Sequence, residues 1–242
     1  MCGRFNIINN PLSQLIMAVV GGDVPWTVTT EYNIAPTQMV PVLRHSDEEG
    51  WAMPSMRWWL VPYWSSEPST KYSMFNAKSE TLTMSSAYKE PFKRRRCVIP
   101  ASGYYEWKKK GATKVPYYIE PATEPGFAFA GLWDRWQRGD RVIESCTIVT
   151  AASPESMKNI HHRIPVHLTM NQARTWVNQR TELARLQELL TPEVRIEIQV
   201  TPVSKIVNNA RNKDERCLEP SGETVKIHQA RFAKKTSKNK VN

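Results

Sequence analysis

The sequence predicts an α+β fold: a single domain on a curved, mostly antiparallel β-sheet with a barrel-like core and peripheral helices. Short runs rich in β-branched and aromatic residues recur along most of the chain, and Pro and Gly separate them about every ten to twenty residues. Only three segments show apolar residues at helical spacing. There is no internal repeat and no alternation of strands with helices, which argues against a parallel α/β architecture.

The helices are predicted from their caps and apolar spacing. The first begins with Asn10 as N-cap and Pro11 at the first helical position, and Gly21-Gly22 ends it. The second begins at Thr169, which forms a capping-box pattern with Gln172. The third is defined by leucines alone. The apolar positions are Leu12, Leu15, Ile16 and Val19 in the first helix, Ala173, Trp176 and Val177 in the second, and Leu183, Leu186, Leu189 and Leu190 in the third.

The strands are predicted from alternation and β propensity. The clearest alternation places Val194, Ile196, Ile198 and Val200 on one face of a strand. Six other runs have the composition of strands. They are Met39–Leu43, Met56–Val61, Arg96–Ile99, Val115–Ile119, Phe127–Leu132 and Ile143–Thr150.

Composition limits the possible classes of protein. The 242 residues contain no apolar run of the roughly 18 residues that a membrane span needs, and the first residues lack the features of a signal peptide. We therefore expect a cytoplasmic protein with no membrane partner, and we expect it to be a monomer. The four cysteines are scattered without C-x-x-C spacing, so neither a disulfide framework nor a metal site is expected, and no cofactor is implied.

The net charge of +10 favours a polyanionic partner, although the charge is unevenly distributed. Six basic residues and no acidic residue follow Glu223. We therefore predict one domain over residues 1–217 and a basic, disordered tail over residues 218–242.

The start of the chain, Met1-Cys2-Gly3-Arg4-Phe5, can create a reactive group. Removal of Met1 would leave a free amine and a thiol on the same residue, Cys2, with reference pKa values of about 7.7–8.0 and about 8.5. The amine can condense with an aldehyde, and the thiol can close on the resulting imine to form a thiazolidine. A cysteine near a chain end is more often without function, so this reading depends on other segments.

Five further polar segments accompany this terminus. They are Y-N-I-A-P at 32–36, L-V-P-x-W at 60–64, N-A-K-x-E at 76–80, G-Y-Y-E-W at 103–107 and H-x-R-I-P at 161–165. Together with M-C-G-R-F, and in this order, they resemble the SRAP (SOS-response-associated peptidase) family, whose members process abasic sites in DNA. The resemblance spans residues 1 to about 210 and implies the SRAP fold.

The resemblance also implies a set of catalytic residues. Cys2 matches the family's N-terminal cysteine, which reacts with the ring-opened aldehyde of an abasic site in single-stranded DNA. Asn76 matches the asparagine that orients this cysteine, Glu106 the catalytic glutamate and His161 the catalytic histidine. His162 is the alternative to His161, but it stands at a variable position of the motif.

Further positions are assigned to DNA binding. Arg4 and Arg163 match residues that hold phosphates, Trp64 and Trp107 suit stacking on unpaired bases, and Thr150 supplies a hydroxyl. Three departures stand beside these matches. Lys78 replaces a common arginine, Trp59 replaces a common glycine, and Ser85-Ser86 lies where some relatives place another DNA-contacting arginine.

Three functions remain open from the sequence. The first is an enzyme that crosslinks itself to abasic sites in single-stranded DNA, with some AP lyase activity. The second is a peptidase with an N-terminal nucleophile, which could remove its own Met1. The third is a module that binds single-stranded DNA without catalysis, which predicts salt-sensitive binding with no preference for the lesion.

Overall fold

The structure, a computed structural model, describes residues 2–191 and 193–228 and forms an α+β fold of two curled β-sheets with few helices. The helices are α1 (Asn9–Val20), α2 (Lys89–Arg94), α3 (Glu155–Lys158), α4 (Met170–Val177) and α5 (Leu183–Glu188). The strands are β1 (Phe5–Ile7), β2 (Glu31–Ile34), β3 (Met39–Pro41), β4 (Arg44–Ser46), β5 (Gly50–Ala52), β6 (Ser55–Trp58), β7 (Asn76–Lys78), β8 (Arg96–Ala101), β9 (Gly103–Lys110), β10 (Thr113–Pro121), β11 (Phe127–Arg138), β12 (Arg141–Ala152), β13 (Arg163–Pro165), β14 (His167–Leu168), β15 (Ile198–Pro202) and β16 (Val225–Ile227).

The first sheet has the strand order β16-β15-β10-β9-β1-β2, and every neighbouring pair in it is antiparallel. The second sheet has the order β14-β11-β12-β6-β3, with β8 also paired to β11 and with β7 and β13 also paired to β12. Only β6 and β7 run parallel to their partner β12. β4 and β5 form a separate hairpin. The predicted fold class, with its mostly antiparallel sheet, is confirmed.

β9 carries different side chains to its two faces, and this alternation organises the active site. Tyr104 packs in the main core, whereas its neighbour Tyr105 packs in a second, smaller cluster with Val207 and Cys217. Glu106 lies two residues after Tyr104 and Trp107 two residues after Tyr105, so each shares the face of the corresponding tyrosine. At Gly103 the strand passes so close to Tyr118 that an added Cβ would lie 2.4 Å from its ring.

The three predicted helices correspond in position to α1, α4 and α5 and differ in detail, whereas α2 and α3 were not predicted. α1 has Ile8 as its N-cap residue, and Asn10 lies inside the first turn, so the predicted N-cap is wrong. Pro11 is tolerated there because the first N–H groups of a helix have no partner within the helix. At the other end Gly21 adopts φ 92° and its N–H donates to the carbonyl of Met17. The capping box of Thr169 and Gln172 is present at the start of α4.

Most predicted strands are present, with changed ends. β11 and β12 have twelve residues each and extend beyond the predicted runs. The run from Val194 to Val200 is wrong in its first half, because the strand begins only at Ile198. Residues 218–228, which the sequence assigns to a disordered tail, are part of the fold, since β16 pairs with β15. Residues 229–242 of that predicted tail lie outside the described residues, as do Met1 and Pro192.

None of the described helices has the length and apolar character needed to cross a membrane.

Candidate active site

The four predicted catalytic residues meet where the two sheets face each other. Cys2 lies three residues before β1, and Glu106 lies on β9, so the first sheet positions both of them. Asn76 begins β7, and His161 lies in the loop between α3 and β13; both β7 and β13 pair with β12 of the second sheet. The central strand β12 therefore fixes Asn76 and His161 opposite Cys2 and Glu106.

Cys2 is completely buried. Its main-chain carbonyl accepts a hydrogen bond from Asn76 Nδ2 at 2.8 Å, and its Sγ lies 3.9 Å from the carbonyl oxygen of Arg4. Asn76 thus contacts the main chain of Cys2. Burial raises the pKa of the Cys2 thiol well above its usual value, and the negative charge of Glu106 adds to this effect. The thiol therefore carries its proton at neutral pH.

Glu106 and His161 form an acid–base pair beside Cys2. Glu106 Oε1 and His161 Nδ1 are 3.8 Å apart. Burial raises the pKa of Glu106 to about 7, and burial lowers the pKa of His161 to about 4. At neutral pH the carboxyl group is consequently near its midpoint, whereas the imidazole is neutral. Glu106 is the group whose charge changes in the physiological range.

The main chain of Arg163 holds the ring of His161 in place. The main-chain N–H and the carbonyl oxygen of Arg163 both lie 3.1 Å from His161 Nδ1. An unprotonated Nδ1 accepts from the N–H and a protonated Nδ1 donates to the carbonyl oxygen, so this contact fixes the position of the ring in either neutral tautomer. His162, the alternative catalytic histidine, stacks beside His161 with 4.2 Å between the ring centroids.

Arg163 is engaged within the protein. Its guanidinium donates to both carboxylate oxygens of Glu80, at 3.1 and 2.9 Å, and to the hydroxyl and carbonyl oxygens of Thr150, at 3.1 and 2.5 Å. Burial alone would raise the pKa of Glu80, but the hydrogen bonds from Arg163 hold it below its usual value. Arg163 and Thr150 are both buried. Together they fasten the loop that carries His161 to β12.

Arg4 and Trp107 lie together on the opposite face of β9 from Glu106. The Arg4 guanidinium lies 5.7 Å from the centroid of the Trp107 ring, and it donates to Asn33 Oδ1 at 2.7 Å and to the carbonyl of Val207 at 2.9 Å. Trp107 Nε1 in turn donates to Asn208 Oδ1 at 2.7 Å. This arrangement makes Arg4 and Trp107 part of a surface that continues from the site along the first sheet.

Lys78 and Trp64 are exposed on the side of the second sheet. Lys78 ends β7, in register with Thr150. The Trp64 side chain is half exposed, donates to the carbonyl of Ser86 at 3.2 Å, and lines a cleft of about 290 Å³. Ser86 is thus a contact of Trp64 at a position where some relatives place an arginine. Trp59, the other departure, packs on Phe75 next to Asn76, with 5.4 Å between the ring centroids.

Two functional positions were missed in the sequence. Glu80 stands in one of the motifs but received no role there, yet it is the carboxylate partner of Arg163. Asn33 is buried, and its Nδ2 donates to the carbonyls of Val207, Asn209 and Asn212 while its Oδ1 binds Arg4. Both residues join segments that are distant in the chain, so no local spacing predicts their contacts. For Glu80, the positive charge of Arg163 in another motif could have suggested the ion pair, whereas Asn33 has no charged group that could suggest a partner.

Within the described residues, no group of three or more His, Cys, Asp or Glu side chains is arranged to hold a metal ion.

Comparison with known families identifies one match that covers most of the chain. The family model described as SOS response associated peptidase (SRAP) matches residues 1–210.

Individual relatives cover nearly the whole chain. The abasic site processing protein YoqW of Bacillus subtilis is 32% identical over 223 residues, which are 90% of this chain and 99% of that protein. The abasic site processing protein YedK of Escherichia coli is 30% identical over 227 residues, covering 91% of this chain and all of that protein. The abasic site processing protein HMCES of Xenopus tropicalis is 32% identical and covers 77% of this chain and 65% of its own length.

Solved structures share the fold. A crystal structure of a protein from Bacteroides thetaiotaomicron superposes with a TM-score of 0.71 at 26% identity, over 78% of this chain and 85% of the other. A protein from Bordetella bronchiseptica gives the same TM-score at 20% identity, over 84% of this chain and all of the other, and so supports the fold alone.

Proposed function

We propose that this chain, which belongs to the SOS response associated peptidase (SRAP) family, processes abasic sites in single-stranded DNA through the amine and thiol of Cys2. The observation that carries the proposal is the convergence of a buried Cys2 with Asn76 and with the pair Glu106–His161. The abasic site processing activity in the names of its relatives supports the choice of substrate.

The proposed reaction begins after Met1 has been removed. The Cys2 amine attacks the aldehyde carbon of the ring-opened abasic sugar, and loss of water gives a Schiff base. The Cys2 sulfur then adds to the imine carbon while the imine nitrogen gains a proton. The product is a thiazolidine in which one sugar carbon is bonded to both the nitrogen and the sulfur of Cys2. No electron acceptor is needed, because the sequence consists of an addition, a dehydration and a second addition.

Glu106 is the group we assign to proton transfer. Loss of water from the first adduct requires an acid, and addition of the thiol requires a base, because burial keeps the thiol protonated. A carboxyl group with a pKa of about 7 can serve in both states near neutral pH. A histidine with a pKa of about 4 is almost entirely unprotonated at neutral pH and so is seldom able to donate a proton. We therefore assign His161 to proton acceptance.

His161 also suits a lyase step at the Schiff base. A neutral imidazole can accept the proton from C2′ of the sugar. The electrons of that C–H bond then form a double bond as the 3′ phosphate leaves. This step competes with thiazolidine closure, so strand cleavage is expected to be slow in the presence of the Cys2 thiol and faster when the thiol alone is missing.

The DNA contacts are proposed from exposure and charge. Lys78 and the half-exposed Trp64 lie on one side of the site, and Arg4 with Trp107 lies on the other. We assign Lys78 and Arg4 to binding phosphates. We assign the two tryptophans to stacking with unpaired bases, since any base can stack on an aromatic ring. Because Arg163 is buried against Glu80 and Thr150, we assign it a positioning role for His161.

The test is the covalent adduct itself. Purified protein is incubated with single-stranded DNA that contains one abasic site, and the heat-stable adduct is counted on a denaturing gel. We expect an adduct with the wild type and none with Cys2→Ala. Cys146→Ala, which also removes a buried thiol, is the matched control and should crosslink normally. Mass spectrometry of the intact protein establishes that Met1 is absent.

A Cys2→Ala variant that forms the heat-stable adduct at the wild-type rate would overturn the mechanism. Cys2→Ser separates the amine from the thiol, because it keeps the amine and should give a reducible Schiff base and more strand cleavage. If Cys2→Ser instead formed the same heat-stable adduct, the thiol would have no part in the product.

Removal of Met1 by the protein itself is a second candidate activity. It is favoured by the acid–base pair of Glu106 and His161 beside a buried thiol, the arrangement that an activated nucleophile requires. Synthesis in an aminopeptidase-free translation system tests it. Wild-type protein should lose Met1 there and Glu106→Gln should retain it, whereas retention in both proteins would assign Met1 removal to a separate enzyme.

A further inference from the structure

The turn between β9 and β10 carries a concentration of positive charge beside the active site. Lys108, Lys109 and Lys110 end β9, and Lys114 is the second residue of β10. We call these four residues the lysine hairpin. Gly111, with φ 59°, makes the turn between the strands. Burial decreases steadily along β9, from a buried Glu106 to an exposed Lys110, so the hairpin projects from the body of the protein.

The lysine hairpin is not neutralised within the protein. None of its four ammonium groups forms an ion pair or a side-chain hydrogen bond with another residue in the described ranges 2–191 and 193–228. Residues 229–242 contain no Asp or Glu that might supply one.

The other basic run of the chain, residues 93–96, is treated differently by the fold. Lys93 and Arg94 pair with Glu90, Arg95 pairs with Asp134, and Arg96 is buried. The guanidinium of Arg96 donates to four main-chain carbonyl oxygens. A structural role explains that run, whereas no contact within the described structure explains the lysine hairpin.

The register places two of the lysines directly opposite each other. Lys109 pairs with Lys114 across the strands, and both are exposed. Opposite residues of an antiparallel pair have Cβ atoms about 4.5–5.5 Å apart, and like charges at this distance destabilise the hairpin. A polyanion placed over the pair removes this repulsion.

The same two lysines share a face of the hairpin with Trp107. Trp107 lies two positions before Lys109 and pairs with Pro116, so Trp107, Lys109 and Lys114 lie on one face, next to Arg4. This is the face of β9 opposite to Glu106, and four residue steps, about 13 Å, separate Glu106 from Lys110 along the strand. The positive surface therefore begins at Arg4, two residues after Cys2, and continues outward along the hairpin.

We propose that the lysine hairpin binds the phosphates of the DNA strand that flanks the lesion, with Lys109 and Lys114 as the principal contacts. The inference rests on the proposed function, since it places the flanking strand relative to Cys2. The ligand chemistry is that of a phosphodiester backbone, and it requires no particular base.

The test measures binding separately from crosslinking. Single strands containing a tetrahydrofuran analogue, which has the shape of an abasic site but no aldehyde, are made with about three nucleotides on each side of the lesion. Longer versions extend either the 5′ or the 3′ side by about eight nucleotides. We expect extension on one side to tighten binding to the wild type by about tenfold at moderate salt, and Lys109→Ser/Lys114→Ser to lose most of that gain. The slope of log K against log salt should fall by about 0.7 for each phosphate that the variant no longer neutralises.

The control variant removes two surface cations that are paired inside the protein. Arg180 pairs with Asp47 and Arg185 with Glu188, so Arg180→Ser/Arg185→Ser gives the same change in net charge. We expect it to keep the gain from extension. The hairpin variant should also melt no lower than the wild type at low salt, because it loses a repulsive pair.

The proposal is overturned if extension has no effect on the wild type, or if both double variants lose affinity equally. A failure of the proposed function gives a different result. In that case no abasic strand crosslinks to any variant, while the dependence on strand length and salt still separates the hairpin variant from its control.

Discussion

Burial moves the pKa values of Glu106 and His161 in opposite directions, and for this reason we propose different roles in proton transfer for the two groups. The carboxyl group is raised to about 7 and the imidazole is lowered to about 4. Each shift disfavours the charged form, as expected in a site from which water is excluded. The order of the two pKa values is thus inverted from that of the free amino acids. Near neutral pH the carboxyl group of Glu106 therefore holds a proton more readily than the imidazole of His161, which is why we propose Glu106 as the acid.

The same shifts predict how stability depends on pH. The folded pKa of Glu106 lies above its unfolded value of 4.5, so its contribution to stability is fully present below about pH 4.5 and is lost as the pH rises through about 7. Glu106→Gln, which cannot ionise, should therefore be more stable than the wild type at pH 8, by on the order of 2 kcal/mol. Urea unfolding at pH 8 and at pH 4.5 measures the difference.

At pH 4.5 the two proteins should differ little, because the carboxyl group of the wild type is then protonated in the folded state. A Glu106→Gln variant that was less stable than the wild type at pH 8 would contradict the shift. The variant should also lose most crosslinking activity, since Glu106 is a residue that costs stability and is retained for its chemistry.

At the scale of elements, the site depends on two three-residue strands that are too short to be predicted from the sequence. β7 carries Asn76, and β13 follows the loop with His161. Alternation needs about four residues to be recognised, so neither strand could be predicted from its pattern. The long strands β11 and β12 were found because their predicted runs, residues 127–132 and 143–150, exceed that limit. Strand β12 binds both short strands, and this long-range pairing is what sequence periodicity cannot report.

Side-chain contacts hold the loop of His161 in place, because the main-chain pairing of β13 is too short to do so alone. Arg163 joins the loop of His161 to Thr150 on β12 and to Glu80 in the 3₁₀ turn after β7. Arg163→Lys keeps the charge but loses the planar fork, so it can satisfy only part of these four acceptors. We expect it to lower the unfolding free energy by about 1–2 kcal/mol and the crosslinking rate by about tenfold.

A positioning role predicts a particular pattern across variants. Glu80→Gln, whose carboxylate is half exposed, should have a smaller effect, because Thr150 still holds Arg163. The double variant should lose less than the sum of the two single variants, since both changes weaken the same contact. If Arg163 instead held a phosphate of the substrate, Arg163→Lys would weaken DNA binding, with a salt dependence no steeper than that of the wild type, while leaving the rate at saturating DNA unchanged.

At the scale of the whole molecule, the two sheets contribute different parts of the site, and the chain crosses between them to assemble it. The motifs predicted the four catalytic residues, and the resemblance of their order to that of the family implied that these residues come together in one site. The pairing of β9 with β1 and of β12 with β7 and β13 is a property of the complete fold. Contacts such as Asn33 with residues 207–212, or Arg163 with Glu80, join positions that only this topology brings together.

The predicted boundary at residue 217 can be tested against the end of the first sheet. Between residues 218 and 228, β16 pairs with β15, the Ser204 N–H donates to the carbonyl of Glu219, and the Ser221 N–H donates to the carbonyl of Pro202. A chain that ends at residue 217 loses all of these contacts and exposes the edge of β15, whereas a chain that ends at residue 228 keeps them. We expect the shorter chain to melt several degrees lower and to aggregate more readily, since an uncovered edge strand pairs with other chains. Thermal unfolding followed by circular dichroism, with light scattering on the same samples, compares both chains with the full-length protein. Melting temperatures of both truncated chains equal to that of the full-length protein would restore the boundary at residue 217. A loss in the chain ending at residue 228 as large as that in the shorter one would show that the last fourteen residues also stabilise the fold.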